Sequence, residues 1–259
     1  MKLIYKPKGA AGEYAKYAVN FFNGCSNECA YCYLKRGSGA WLLGCNKPAL
    51  KAGYSSEDEE ITAFCSDLRN NLSELREHGI FMSFTTDPMI KGTFRVTLEA
   101  TLVSLSYGVP VTILTKCTDY YDILVERARG ILNIPSCGKI IIGTTLTGCD
   151  ELEPKASPHS KRVEMLRKAN NDGLKTIVSL EPVIDLKRSY CIVEEVLDCV
   201  DEIWIGLKSP VKADDYPMDL LRSFISKVND LAGKNNIKIL WKESVRKLAD
   251  KYGISEFLY

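Results

Sequence analysis

No apolar run in this sequence approaches the length needed to span a bilayer, so no stretch of its 259 residues reads as a transmembrane helix. Net charge is also nearly missing. The 34 Lys and Arg against 33 Asp and Glu leave a formal +1, which removes any global pull towards nucleic acid or a membrane surface. The opening Met1-Lys2-Leu3-Ile4-Tyr5-Lys6 turns polar too soon for a secretory leader, and a cytoplasmic location is expected. Linkers, low-complexity tracts and strong repeats are lacking as well. A single domain over 1–259 is therefore expected, with a core over about 18–210 and a C-terminal extension over 211–259.

Cysteine is present, but not as a disulfide framework. The ten cysteines are spread from Cys25 to Cys199 instead of being packed into a short secreted scaffold. Cys65, Cys191 and Cys199 fall inside helical patterns, where a small buried hydrophobe is expected.

Apolar, β-rich runs alternate with amphipathic stretches at the rhythm of βα units. The runs are 18–22, 80–84, 110–114, 139–143, 175–180 and 202–206, with 237–241 as a seventh. Between them, Ile61, Phe64, Leu68, Leu72 and Leu75 recur at steps of three and four and predict one helix face, capped by Ser55 or Ser56. Leu98, Leu102 and Leu105 before Gly108 repeat the pattern, as do Val163, Leu166 and Ala169 before Gly173. Leu220, Leu221, Phe224, Ile225, Val228 and Leu231 mark a late helix. Near-continuous apolar strands between helices imply a parallel sheet. The fold class is α/β: a partial (β/α)6-type barrel with an added C-terminal βα unit, or a doubly wound open sheet. Residues 34–56 read as a long functional loop.

Asn23-Gly24-Cys25-Ser26-Asn27-Glu28-Cys29-Ala30-Tyr31-Cys32-Tyr33 stands apart. Its Cys-x3-Cys-x2-Cys spacing offers three thiolates to a 4Fe–4S cubane, which normally takes four, and leaves one iron open. That open corner suits chelation by the amino and carboxylate groups of S-adenosylmethionine (SAM). A zinc site with Cys45, His78 or His159 as fourth ligand is the competing reading, although no second Cys-x-x-Cys pair accompanies the motif.

The motif, placed after a first strand, resembles the radical SAM superfamily. Thr85-Thr86-Asp87-Pro88, the Thr115-Lys116 ending of the third strand, Glu153-Pro154-Lys155-Ala156 with Arg162, and Glu181-Pro182-Val183-Ile184 resemble its spore photoproduct lyase-like group. The likeness runs from about Ala18 to Gly206. It implies a cluster on Cys25, Cys29 and Cys32, and Tyr31 near the adenine, where simple packing is the alternative. It also implies Thr86 and Asp87 at the SAM amino group, where a helix cap is the alternative, and Lys116 at the SAM carboxylate. Thr145, Glu153 and Arg162 are implied around the ribose or carboxylate, with an Arg162–Glu153 salt bridge as the other reading. Glu181 is implied as a polar contact.

One departure qualifies the likeness: Phe84 stands where spore photoproduct lyases carry a hydrogen-donating cysteine. Cys117, after Lys116, is the substitute donor or else a packing residue, and Tyr33 is a further radical-competent side chain. The expected activity is reductive cleavage of SAM and hydrogen abstraction from an unidentified substrate, with electrons from a flavodoxin- or ferredoxin-like donor. Lys35, Arg36, Lys47 and Lys51 form a basic rim for nucleic acid or else a solvated loop.

Overall fold

The computed structural model describes residues 3–36, 40–132, 139–255 and 257. Its strands are β1 (Ile4–Tyr5), β2 (Ala18–Val19), β3 (Phe22–Asn23), β4 (Ala49–Leu50) and β5 (Ile80–Met82), then β6 (Val111–Leu114), β7 (Ile140–Thr145), β8 (Lys175–Val183), β9 (Glu202–Leu207) and β10 (Lys238–Trp241). The helices are α1 (Ala40–Leu43), α2 (Glu57–Asn70), α3 (Leu72–His78), α4 (Phe94–Ser106) and α5 (Tyr121–Leu132), then α6 (His159–Asn171), α7 (Leu186–Val196), α8 (Met218–Asn235) and α9 (Glu243–Lys251).

One sheet runs in the order β1-β2-β5-β6-β7-β8-β9-β10. Every neighbouring pair from β2 to β10 is parallel, and β1 alone is antiparallel to β2. The parallel strands follow chain order without the reversal that a doubly wound sheet requires, which decides between the two expected architectures. β1 and β10 are its two edges, so the sheet is a partial barrel, with β10 as the added seventh parallel strand.

Side chains alternate across each strand. Ile80, Met82, Val111, Ile113, Ile140 and Ile142 join a buried core with α2, α4 and α5. Val178, Leu180, Ile203, Ile205 and Trp241 do the same with α7, α8 and α9. The opposite parity gives a third group, Ala18, Phe81, Ile177 and Trp204, with Leu114, Ile141 and Leu240 packed against it. Burial on both faces explains why the strands read as continuous apolar runs.

Three expectations are corrected. The predicted helix over Ile61 to Leu75 is two helices, because Asn71 leaves helical geometry at φ −121° and ψ 18°. Ser56 caps the first of them, accepting from the Glu59 amide at 3.2 Å, while the Glu59 carboxylate reaches back to the Ser55 amide at 2.8 Å. Leu220 is exposed on α8, and Cys191 is exposed on α7; of the three cysteines expected in helices only Cys199 is buried, and it lies in the turn after α7. The loop over 34–56 contains α1 and β4, and its residues 37–39 lie outside the described residues. Among the described residues no helix is long and apolar enough to cross a membrane.

Candidate active site

The C-terminal ends of the parallel strands surround a cavity of about 380 Å³. That is within the usual range for a small-molecule site. Cys25, Cys29 and Cys32 line it together with Tyr31, Thr86, Asp87, Lys116, Thr145 and Glu181. These nine side chains, all singled out in the sequence, therefore share one space, and Tyr33 and Phe84 line it too. Glu153, Arg162 and Cys117 do not line it.

The cysteine loop is held from three directions. Gly24, at φ +86°, brings its start against the segment before β4, where a Cβ would lie 2.6 Å from the Lys47 carbonyl and 2.8 Å from that of Cys45. The Cys25 amide donates to the Cys45 carbonyl at 2.9 Å. At the centre of the loop, Asn27 Nδ2 donates to Asp87 Oδ2 at 2.8 Å. At its end, the Ala30 amide donates to the Leu152 carbonyl at 2.9 Å and the Tyr31 hydroxyl donates to Glu153.

Asp87 joins the loop to the strand ends. Its Oδ2 also accepts from the Lys116 amide at 2.7 Å, and its Oδ1 accepts from Thr115 Oγ1 at 2.6 Å and the Met89 amide at 3.0 Å. Both carboxylate oxygens thus carry two protein donors each. Asn20 works similarly one strand over, accepting from Ser83 Oγ at 2.9 Å and the Phe84 amide at 2.7 Å.

Behind the cavity, Arg162 is fully buried. It reaches Glu153 at 2.5 Å, the Thr145 carbonyl at 2.6 Å and Asp150 at 2.9 Å. Of the two readings for Arg162 and Glu153, the geometry is that of the salt bridge, and the pair acts on the cavity through Tyr31 and Thr145. Lys116 lies within 4.0 Å of Glu153 and 5.6 Å from the centre of the Tyr31 ring.

The opposite wall was not foreseen. Tyr14 donates to Glu181 and lies 2.8 Å from Ser179 Oγ. Lys242, from the residue after β10, is buried 3.3 Å from Glu181 Oε2. Gly206 has no side chain because a Cβ would lie 2.7 Å from the Glu181 carboxyl. Tyr14, Phe81 and Phe84 pack as an aromatic wall, with Phe81 and Phe84 stacked at 4.4 Å. Ser179 could have been found from its parity with Glu181 on one strand, and Lys242 from its place directly after the last strand. Tyr14 carries no local signal.

Electrostatics follow burial. Desolvation, with Asp87 nearby, pushes the Cys25 thiol up to about 12, and burial raises Cys29. A metal ligated by these thiols would therefore have to displace their protons. Burial, reinforced by Glu153, raises Tyr31 and keeps it a donor; burial, reinforced by Glu181, does the same for Tyr14. Burial pulls Lys242 below the usual lysine range, while Glu181 and Glu13 oppose that shift.

The donor set fits an iron–sulfur cluster: three disulfide-free thiols on one loop face one cavity. Among the described residues no three His, Cys, Asp or Glu side chains converge on a single-ion site. His78 contacts Lys16 at 2.6 Å and His159 contacts Glu195 at 2.9 Å, and neither lines the cavity. Cys45 borders a small recess beside the three cysteines. Cys117 packs against the outer core, and burial pushes its thiol up to about 11.

No family model matches the sequence. It is similar to "Uncharacterized protein ORF301" of Acidianus two-tailed virus, with 25% identity over 219 residues that cover 77% of this chain and 67% of that protein. Among solved structures, a doubly substituted spore photoproduct lyase with bound AdoMet and dinucleoside spore photoproduct superposes with a TM-score of 0.64. The identity is 14%, covering 92% of this chain and 78% of that one. Spore photoproduct lyase complexed with dinucleoside spore photoproduct gives 0.60 at 14% identity over 91% and 78%. A tyrosine-to-phenylalanine mutant of the lyase gives 0.63 at 13% identity over 91% and 78%. The chain has the fold of spore photoproduct lyase.

Proposed function

We propose that this protein is a radical SAM enzyme related to the spore photoproduct lyase-like group. The observation that carries the reading is the convergence of Cys25, Cys29 and Cys32 with Lys116 and Glu181 on one cavity at the strands' C-terminal ends. Cys25, Cys29 and Cys32 would hold a 4Fe–4S cluster. Reduced by an external flavodoxin- or ferredoxin-like donor, such a cluster would supply the single electron for reductive cleavage of SAM, and so a radical able to take a hydrogen atom from the substrate.

The protein's own side chains bind and orient. The Lys116 ammonium pairs with the SAM carboxylate, and Glu181 accepts hydrogen bonds from SAM hydroxyl or amino groups. Thr86 and Thr145 offer hydroxyls to the same space, and Tyr31 offers a ring face. Asp87, with its oxygens committed to four protein donors, orients the cysteine loop against the end of β6. The aromatic wall of Tyr14, Phe81 and Phe84 excludes water from the reacting centre. The reading places the protein in a reducing compartment, the cytoplasm.

Phe84 has no transferable sulfhydryl hydrogen, so the reading does not extend to the photoproduct named for the structural neighbours. The substrate class stays between nucleic acid, approached over Lys35, Arg36, Lys47 and Lys51, and a small molecule or peptide.

The test is anaerobic iron–sulfur reconstitution, then dithionite and SAM, with mass-spectrometric detection of 5′-deoxyadenosine. Product that disappears in the Cys25, Cys29 and Cys32 triple alanine variant is expected. Stoichiometric zinc without a cluster spectrum or product overturns the reading.

A further inference from the structure

The two edges of the curled sheet, β1 and β10, do not pair with each other among the described residues. Such a gap would open the cavity to water from the side. The chain between β1 and β2 crosses it. Residues 9–13 form a short 3-10 turn, followed by Tyr14. From there Tyr14 reaches inwards to Ser179 and Glu181 of β8 and packs its ring edge against Trp204 of β9 at 4.3 Å.

At the far edge this segment meets Lys242, directly after β10. The Lys242 ammonium donates to the Ala10 carbonyl at 2.7 Å, lies 3.7 Å from Glu13 and 3.3 Å from Glu181, and sits 3.5 Å from the centre of the Tyr14 ring. Glu13 also accepts from the Glu243 amide at 2.7 Å. Only 3% of the lysine side chain is exposed. A buried ammonium with this many partners on two separate elements is costly unless every partner stays in place, so it fixes their mutual position.

We propose that residues 9–14 are a strap that closes the cavity wall between the two sheet edges, and that Lys242 is the positioning residue that latches it and holds Tyr14 and Glu181 in register. Its bearing on SAM rests on the radical SAM reading; the strap itself does not. The C-terminal βα unit thereby becomes part of the active site through one side chain, and a lateral path for water is sealed where a reactive radical would otherwise be quenched.

The experiment is hydrogen–deuterium exchange of the full chain, comparing wild type with Lys242→Met, Lys242→Arg and Glu13→Ala. Exchange of the peptide over 9–16 should rise about tenfold in Lys242→Met and in Glu13→Ala, stay near wild type in Lys242→Arg, and leave β5 to β9 unchanged. Glu13 lies towards the surface, so its variant tests the strap even if Lys242→Met folds poorly. No rise in either variant, or an equal rise throughout the parallel strands, overturns the strap.

Equilibrium dialysis of SAM against reconstituted protein then tests positioning. Lys242→Met should weaken binding about tenfold, and adding it to Glu181→Gln should weaken binding no further. Additive losses overturn a role exerted through Glu181. A wild-type protein that binds no SAM overturns the cofactor reading and the positioning role with it, while exchange still decides the strap.

Discussion

Arg162 and Glu153 meet at 2.5 Å with both side chains completely buried. The carboxylate they share with Tyr31 ties helix α6 to the residue between the second and third cysteines of the motif. The pair is therefore part of what holds the cysteine loop in place, although neither member reaches the cavity.

Arg162→Met removes the guanidinium from a buried carboxylate that then keeps only the Tyr31 hydroxyl and Lys116, 4.0 Å away, and should cost about 3–5 kcal/mol, read from urea unfolding. Arg162→Lys should recover only part of that loss. A single ammonium cannot reproduce the fork that reaches Glu153, Asp150 and the Thr145 carbonyl together.

Asp87→Asn replaces one of two acceptor oxygens with a donor that faces groups already donating. At least one buried N–H or O–H among Asn27, Met89, Thr115 and Lys116 then loses its partner. A loss of about 1–3 kcal/mol is expected in a denaturant titration, together with fewer irons bound per chain after reconstitution. Full iron loading with unchanged stability would contradict the bridging role.

Gly206→Ala puts a methyl group where the Glu181 carboxyl now lies, 2.7 Å from its carbon. Displacement of that side chain should weaken SAM binding more than Glu181→Asp does, whereas Gly233→Ala, with open space around its Cα, should leave binding unchanged. Calorimetric titration of the reconstituted proteins makes the comparison.

Glu60 on α2 is fully buried, with neither carboxylate oxygen hydrogen-bonded among the described residues, and desolvation pushes it up to about 8. The folded state therefore holds a proton that the unfolded chain releases near its ordinary value of 4.5. Its contribution is fully present below that value and is lost as pH rises through about 8. Glu60→Gln should thus stabilise the protein more at pH 8 than at pH 5 by about 1–3 kcal/mol in paired thermal melts.

Cys117→Ala should leave 5′-deoxyadenosine formation unchanged, because the thiol packs on the outer core and not on the cavity wall. A selective loss of substrate product with normal SAM cleavage would instead restore Cys117 as a hydrogen donor.

Local pattern carried a large part of this protein. Apolar runs on short strands and the spacing of Cys25, Cys29 and Cys32 are properties of a few consecutive residues, so the strands, the motif and its position after the first strand were legible in the sequence, whereas the strand order was not. Lys116 and Glu181 stood out only through the family resemblance, since a lysine or glutamate near a strand end is by itself a weak signal. Helix continuity was less legible: the periodicity from Ile61 to Leu75 runs straight across Asn71, whose backbone breaks the helix without breaking the pattern.

What lay beyond the sequence was which distant groups meet. Tyr14 and Glu181 are 167 residues apart, and Lys242 and Ala10 are 232 apart. No spacing rule connects such positions; they come together only because the sheet curls until its two edges approach. The fold also brings Arg162 and Glu153 together as a fully buried ion pair, where each charge offsets the desolvation of the other. The cysteine motif and the strand faces were thus set by short-range chemistry, whereas the closed wall opposite them exists only in the folded chain, where desolvation makes a lysine, a glutamate and a tyrosine depend on one another.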